Sequence, residues 1–107
     1  MALNKLGFRT DSFGHNSFIR NPPLTCVNLV LDGGEKILFV PPSGTTAVIF
    51  SSTGEFWVNA NGTAEVPEAN TDSGSELNPL GYEVGGDKAR LSITAPRDIR
   101  MSIACYS

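Results

Sequence analysis

Thr25-Cys26-Val27-Asn28-Leu29-Val30-Leu31-Asp32-Gly33-Gly34-Glu35-Lys36-Ile37-Leu38-Phe39-Val40-Pro41-Pro42-Ser43-Gly44 is the stretch whose reading decides the fold. Residues 25–31 and 36–40 are rich in β-branched and apolar residues, which fit a pleated surface. Between them, Asp32-Gly33-Gly34-Glu35 supplies the positive φ of a tight turn, so the stretch reads as strand, hairpin turn and returning strand. Pro41-Pro42-Ser43-Gly44 makes the next turn. Thr45-Thr46-Ala47-Val48-Ile49-Phe50 follows, and Ser52-Thr53-Gly54-Glu55 turns it into Phe56-Trp57-Val58-Asn59. Strands in succession with short connections predict an antiparallel meander or the opening of a Greek key.

Ile37-Leu38-Phe39-Val40 and Ala47-Val48-Ile49-Phe50 are apolar at every position. Such strands are covered on both faces, here by a second sheet or by another subunit. Phe56 and Trp57 are neighbours on one strand, so their rings face opposite sides. One belongs to the core. The other is a surface ring or an interface anchor, since Trp is enriched among binding hot spots.

Downstream, the pattern breaks between Ala60 and Leu80. Asn61-Gly62-Thr63, Pro67, Asn70-Thr71-Asp72-Ser73-Gly74-Ser75 and Asn78-Pro79 are all turn chemistry. A loop of that length is long for a compact domain, and such loops usually carry function. Ala64-Glu65-Val66 is a candidate edge strand inside it. Glu76 and Asn78 have the side chains to bond nearby backbone amides, with Pro79 stiffening the exit. The resulting order serves the loop alone or a partner it is shaped for. Gly81-Tyr82-Glu83-Val84, a Gly85-Gly86-Asp87 turn and Ala89-Arg90-Leu91-Ser92-Ile93-Thr94-Ala95 restore the strand pattern. In the last strand Ile99, Met101, Ile103 and Cys105 share one face, and Arg100 and Ser102 the other.

The expected fold is therefore all-β: an antiparallel β-sandwich or jelly roll of seven to eight short strands over residues 24–107. Ahead of it, residues 1–23 read as an extended N-terminal arm. Phe8, Phe13 and Phe18 recur every five residues, a spacing that fits neither helix nor strand. Asn21-Pro22-Pro23 then favours extended chain. Aromatics spaced by Gly, Ser and Asn are candidate anchors, for a neighbour or for the arm's return onto its own sheet.

The chain has 107 residues, with 40% hydrophobic and only 18% charged, against roughly 25% charged in a typical domain. A surface so weakly charged is either covered by neighbours or dressed in neutral Ser, Thr and Asn. The formal charge is −3 and the pI about 4.9. Phosphate contact needs a basic stripe. Arg90, Arg97 and Arg100 come closest, with Asp87 and Asp98 interrupting them, so no direct nucleic-acid binding is expected. No run approaches the roughly twenty apolar residues of a membrane span. Met1-Ala2-Leu3-Asn4-Lys5-Leu6 lacks the apolar run of a secretory leader, and synthesis and folding in the cytoplasm are expected. Cys26 and Cys105 are then expected as free, small core residues, with a bridge open to them if the first and last strands are neighbours.

Catalytic chemistry is sparse. His15 is the single histidine and lies in the arm, whereas acid–base work needs a rigidly held imidazole. With only Cys26 and Cys105 beside it, no zinc site is expected. Gly33-Gly34 and Gly85-Gly86 precede no helix, so they cradle no phosphate. Glu65, Glu68, Asp72 and Glu76 have no EF-hand spacing and read as a solvated acidic loop. Asn61-Gly62-Thr63 matches a glycosylation acceptor by composition alone. Neither cofactor nor metal is expected, and no enzyme.

One segment resembles a family. Phe56-Trp57-Val58-Asn59, then Gly62-Thr63-Ala64-Glu65-Val66-Pro67, then Gly74-Ser75-Glu76-Leu77-Asn78-Pro79 resembles a segment of small tailed-bacteriophage structural proteins. The close match covers about a quarter of the chain, and the arm lies outside it. The resemblance implies a non-catalytic virion component. The favoured form is a head decoration or cement protein, which stiffens the major capsid protein shell by buried area over many copies. It implies a homo-oligomer, a dimer or trimer, with Phe8, Phe13, Phe18, Trp57, Glu76, Leu77 and Asn78 as interface candidates. A tail, neck or fibre-base component is the nearest alternative. A small carbohydrate-binding β-sandwich, with Trp57 or Tyr82 stacking on a sugar, is an alternative of another class. A cupin-like enzyme is disfavoured because its metal-binding histidines are missing.

Overall fold

A computed structural model describes residues 8–10, 16–20, 22–23, 25–85 and 89–107. Phe13, His15, Leu24 and the Gly86-Asp87 part of the expected turn lie outside the described residues. Ten strands occur, and no helix among the described residues: β1 (Phe8–Thr10), β2 (Asn16–Arg20), β3 (Thr25–Leu31), β4 (Lys36–Phe39), β5 (Ala47–Ser52), β6 (Trp57–Asn59), β7 (Glu76–Leu77), β8 (Gly81–Glu83), β9 (Leu91–Thr94) and β10 (Ile99–Tyr106).

β3 to β10 form two antiparallel four-stranded sheets, β3-β10-β5-β8 and β4-β9-β6-β7, and β1 and β2 pair separately. The body is thus a β-sandwich. Its long central strand β10 pairs with β3 on one side and β5 on the other. Ile99, Met101, Ile103 and Cys105 are buried between the sheets, while Arg100 is exposed and Ser102 half-buried, as their alternation predicts. They meet Val58 and Ile93 of the facing sheet, both fully buried. Phe50 packs edge-to-face on Phe56, centroids 5.7 Å apart, and on Tyr82 at 5.8 Å. Contacts of that kind are worth about 0.5–1.5 kcal/mol each beyond their area.

The expected meander is wrong. β3 pairs with β10 and β4 with β9, so β3, β4, β5 and β6 alternate between the two sheets. The Asp32–Glu35 turn crosses the sandwich instead of closing a hairpin. Its Gly34 N–H donates to Ala95 O at 2.8 Å and its Gly33 N–H to Asp98 Oδ1 at 2.8 Å, which locks it onto the β9–β10 connection. A Cβ on Gly33 would stand 2.9 Å from Pro96 O, and Gly34 has φ +84°. Gly33 serves this close approach, and Gly34 the positive φ of the turn. A strand, tight turn and strand have the same local chemistry whether the second strand returns beside the first or crosses to the other sheet.

Cover on both faces holds for β5, whose Ala47, Val48 and Phe50 are buried. Ala47 and Ile49 join Ala104 and Tyr106 in a second apolar cluster. It fails for β4, where Leu38 is 57% exposed and Val40 beyond it 52%. β4 is an edge strand, and its outer face is left open. Cys105 is buried but Cys26 is exposed, so only one cysteine is a core residue. Their strands are neighbours, yet Cys26 registers with Ala104, which puts the two thiols on opposite faces of the sheet and unbridged.

In the N-terminal segment, Phe8 registers with Arg20 and Thr10 with Asn16, with a register shift between them. An interrupted ladder leaves no clean period of two, which is why the phenylalanine spacing did not announce these strands.

Candidate interaction surface

Within the sheet of β4, β9, β6 and β7, core-facing residues alternate with an outer face. Lys36, Thr94, Trp57 and Leu77 stand in one outer row across the four strands. Leu38, Ser92 and Asn59 form the next. Polar residues on an outer face are normally wet, yet Asn59, Ser92 and Thr94 are all buried. The loop of residues 60–75 covers them.

Asn59 holds that loop at three points. Its Nδ2 donates to Ser73 O at 3.1 Å and, more weakly, to Thr63 O at 3.4 Å, while its Oδ1 accepts from the Asn61 N–H at 2.9 Å. Ser92 Oγ accepts from the Ala64 N–H at 2.8 Å, and Ala64 is fully buried. Ser75 Oγ accepts from the Glu65 N–H at 3.1 Å, tying the loop's two arms together. Gly74, at φ +79°, lies against the Asn59 side chain. The expected edge strand at Ala64-Glu65-Val66 is absent because these amides bond side chains. Glu76–Leu77 takes the sheet edge instead.

The Asn78 side chain bonds backbone as expected. Its Oδ1 accepts from the Phe56 N–H at 2.7 Å, and its own N–H donates to Phe56 O at 2.9 Å. It sits at φ +45°, in the left-handed region that Asn tolerates better than most residues. Glu76 does something else: its Oε1 accepts from Tyr82 Oη–H at 2.5 Å. β7 and β8 are edge strands of opposite sheets, so this bond spans the sandwich at that side. Burial, and then the hydrogen bond and charge of Glu76, push the Tyr82 phenol far above its usual range.

Phe56 is the core ring of its pair, and Trp57 is half-buried on the outer face with its Nε1–H donated to Glu55 Oε2 at 2.7 Å. Leu77, opposite it on β7, is 50% exposed, and Leu80 is 86% exposed. A shallow cavity of about 570 Å³ lies beside Trp57, bordered by Asn70, Asp72, Ser73 and Ser75. A second, of about 610 Å³, lies on the loop's other flank, between Lys36 and Glu68. Among the described residues no three His, Cys, Asp or Glu side chains come together as metal ligands would.

Of the candidate residues, Trp57 and Leu77 thus share the outer face, while Glu76 and Asn78 lie beside them with side chains bonded to Tyr82 and to the Phe56 N–H. Phe8 and Phe18 lie in the separate β1–β2 pair, and Phe13 is outside the described residues. Asn59 and Ser92, which shape the loop, were missed; the only signal was a polar residue at a strand position facing away from the core. No protein-family model, curated protein or solved structure matches this chain.

Proposed function

We propose that this chain is a structural protein of a tailed-phage virion, a capsid decoration or cement protein that binds the major capsid protein shell and stabilises it by buried contact area. The observation that carries the reading is the pairing of Trp57 with Leu77 on an outer face whose long loop is held in one shape by Asn59. An ordered apolar surface loses little entropy on docking. The strand order supports it as well. We read these eight strands in two sheets, ordered β3-β10-β5-β8 and β4-β9-β6-β7, as a jelly roll, an architecture used by viral capsid proteins. In this reading the protein turns over no substrate, needs no cofactor, associates with copies of itself, and resides in the virion after synthesis in the host cytoplasm. The N-terminal segment adds contact area.

The test is co-sedimentation of the purified chain with empty heads of the phage that encodes it. Trp57→Ala and Leu77→Asp should each reduce binding without loss of fold. Copy number separates a shell protein, present on every facet, from a tail, neck or fibre-base component confined to one vertex.

A carbohydrate-binding reading is favoured by one observation, the cavity in which Trp57 faces the amide, carboxylate and hydroxyls of Asn70, Asp72, Ser73 and Ser75. Trp57 is the single tryptophan, so its fluorescence reports directly on sugar stacking there. A saturable shift with simple hexoses, abolished by Asp72→Ala, would favour this reading over shell binding.

A further inference from the structure

We infer that β3 is the contact between two copies of this chain, paired antiparallel across a two-fold axis at Asn28. This deepens the self-association in the reading above by naming its surface. β3 lies at the edge of its sheet, in unbroken register with β10 from Thr25 to Leu31, and no strand among the described residues pairs with its other side. Proteins protect such edges by shortness, charge, proline or a bulge. The sandwich's other edges use two of these devices: β4 carries Lys36, β8 is three residues with Glu83, and β7 is two residues with Glu76. β3 has seven residues, no charge, no proline and no register shift.

Its apolar cover is also incomplete. Val27 and Leu29 pack on the core yet stay half-exposed, as does Ile37 on β4, while Val30 is 74% exposed. On the β3–β4 side of the sandwich no described residue caps this ladder, and apolar side chains flank it.

A second copy fits this edge in charge and sequence. Antiparallel pairing about Asn28 sets Val27 opposite Leu29 on the core-facing side. On the outer side it sets Cys26 opposite Val30, both exposed, and Asn28 opposite its own mate. Facing Asn amides have both donors and acceptors to exchange. No charged residue meets its like, although each chain carries a formal charge of −3. A seven-residue strand is about 24 Å long. A face of that length and two sheets deep is of the order of the 800 Å² per partner that a stable interface buries. The contact is isologous and closes at two copies.

The test is the mass of the full chain by sedimentation, with fold checked by circular dichroism. Wild type should run at twice the 11.4 kDa of one chain at high micromolar concentration. Asn28→Lys and Asn28→Asp, at an exposed position, should each run as folded monomers, and mixing them in equal amounts should restore the double mass. Val30→Lys should weaken association by about tenfold or more. A monomeric or trimeric wild type, or folded charge variants that stay dimeric, would overturn the inference. Shell binding is read separately by co-sedimentation, so loss of self-pairing leaves the capsid reading standing, and the reverse.

Discussion

Asn78 and Phe56 hold each other twice, through the Asn78 N–H to Phe56 O at 2.9 Å and the Phe56 N–H to Asn78 Oδ1 at 2.7 Å. The first bond is backbone and survives any substitution that keeps the fold. The second belongs to the side chain, at a residue whose φ of +45° already costs most others. Asn78→Ala should therefore destabilise by about 1–3 kcal/mol, because it orphans a part-buried N–H and strains the backbone. Asn78→Gly should cost less, since glycine relieves the strain while the bond stays lost. Urea unfolding of the two variants gives the order; equal losses would mean that φ contributes nothing.

Asn59 governs the loop by the same kind of chemistry. Asn59→Asp keeps the acceptor for Asn61 but replaces the amide donor with an oxygen facing Ser73 O and Thr63 O. At a buried site this should cost about 1–3 kcal/mol and free the loop. Limited proteolysis should then cut within residues 60–75 of the variant well before the wild type. Equal protection would show that Ser92 and Ser75 suffice.

Gly81 has no room for a side chain, since a Cβ there would collide with Val48 O. The obstacle is backbone of the neighbouring strand, so relief requires β8 to move off β5. Gly81→Ala should destabilise by about 1–3 kcal/mol or more. Calorimetry showing an unchanged midpoint would contradict that packing.

The Tyr82–Glu76 bond predicts an alkaline weakness. The folded phenol titrates above its unfolded value of about 10. Below that pH the phenol is protonated in both states and its contribution is complete. As pH rises past it, only the unfolded chain gives up the proton, so stability falls with pH until the folded phenol ionises too. Tyr82→Phe has no such proton. Its urea midpoint should fall less than that of the wild type between pH 9 and 11; parallel curves would remove Tyr82 from the account.

The two thiols should separate cleanly. Cys26 is exposed, whereas Cys105 is buried and its pKa is pushed up, first by that burial. In a chain held monomeric by Asn28→Lys, a thiol reagent should titrate one cysteine at once and the second only on unfolding. A rapid titration of both would show that β10 is accessible.

Much of the architecture was legible in alternation. Ile99, Met101, Ile103 and Cys105 announced the core face of β10, and the Phe56–Trp57 pair announced one core ring and one outer ring. Sheet membership was not legible, because the Gly33–Gly34 turn owes its geometry to Pro96 and Asp98, which lie far along the chain. Solvent cover escaped local reading for the same reason. Leu38 on a uniformly apolar strand is exposed, while Asn59 and Ser92 are buried under a loop that only the folded chain brings over them. In the candidate surface, Asn78 was readable as a loop clamp from its turn chemistry. The Glu76–Tyr82 bond was not, since it joins edge strands of different sheets.

Adhesion to a shell is the central claim, and binding to empty heads tests it most directly. On the proposed function, the wild-type chain should co-sediment with the heads of the phage that encodes it, to saturation at many copies per particle. Leu77→Asp, folded as judged by circular dichroism, should bind far more weakly. A folded wild type that stays in the supernatant at every ratio of protein to heads would contradict the account.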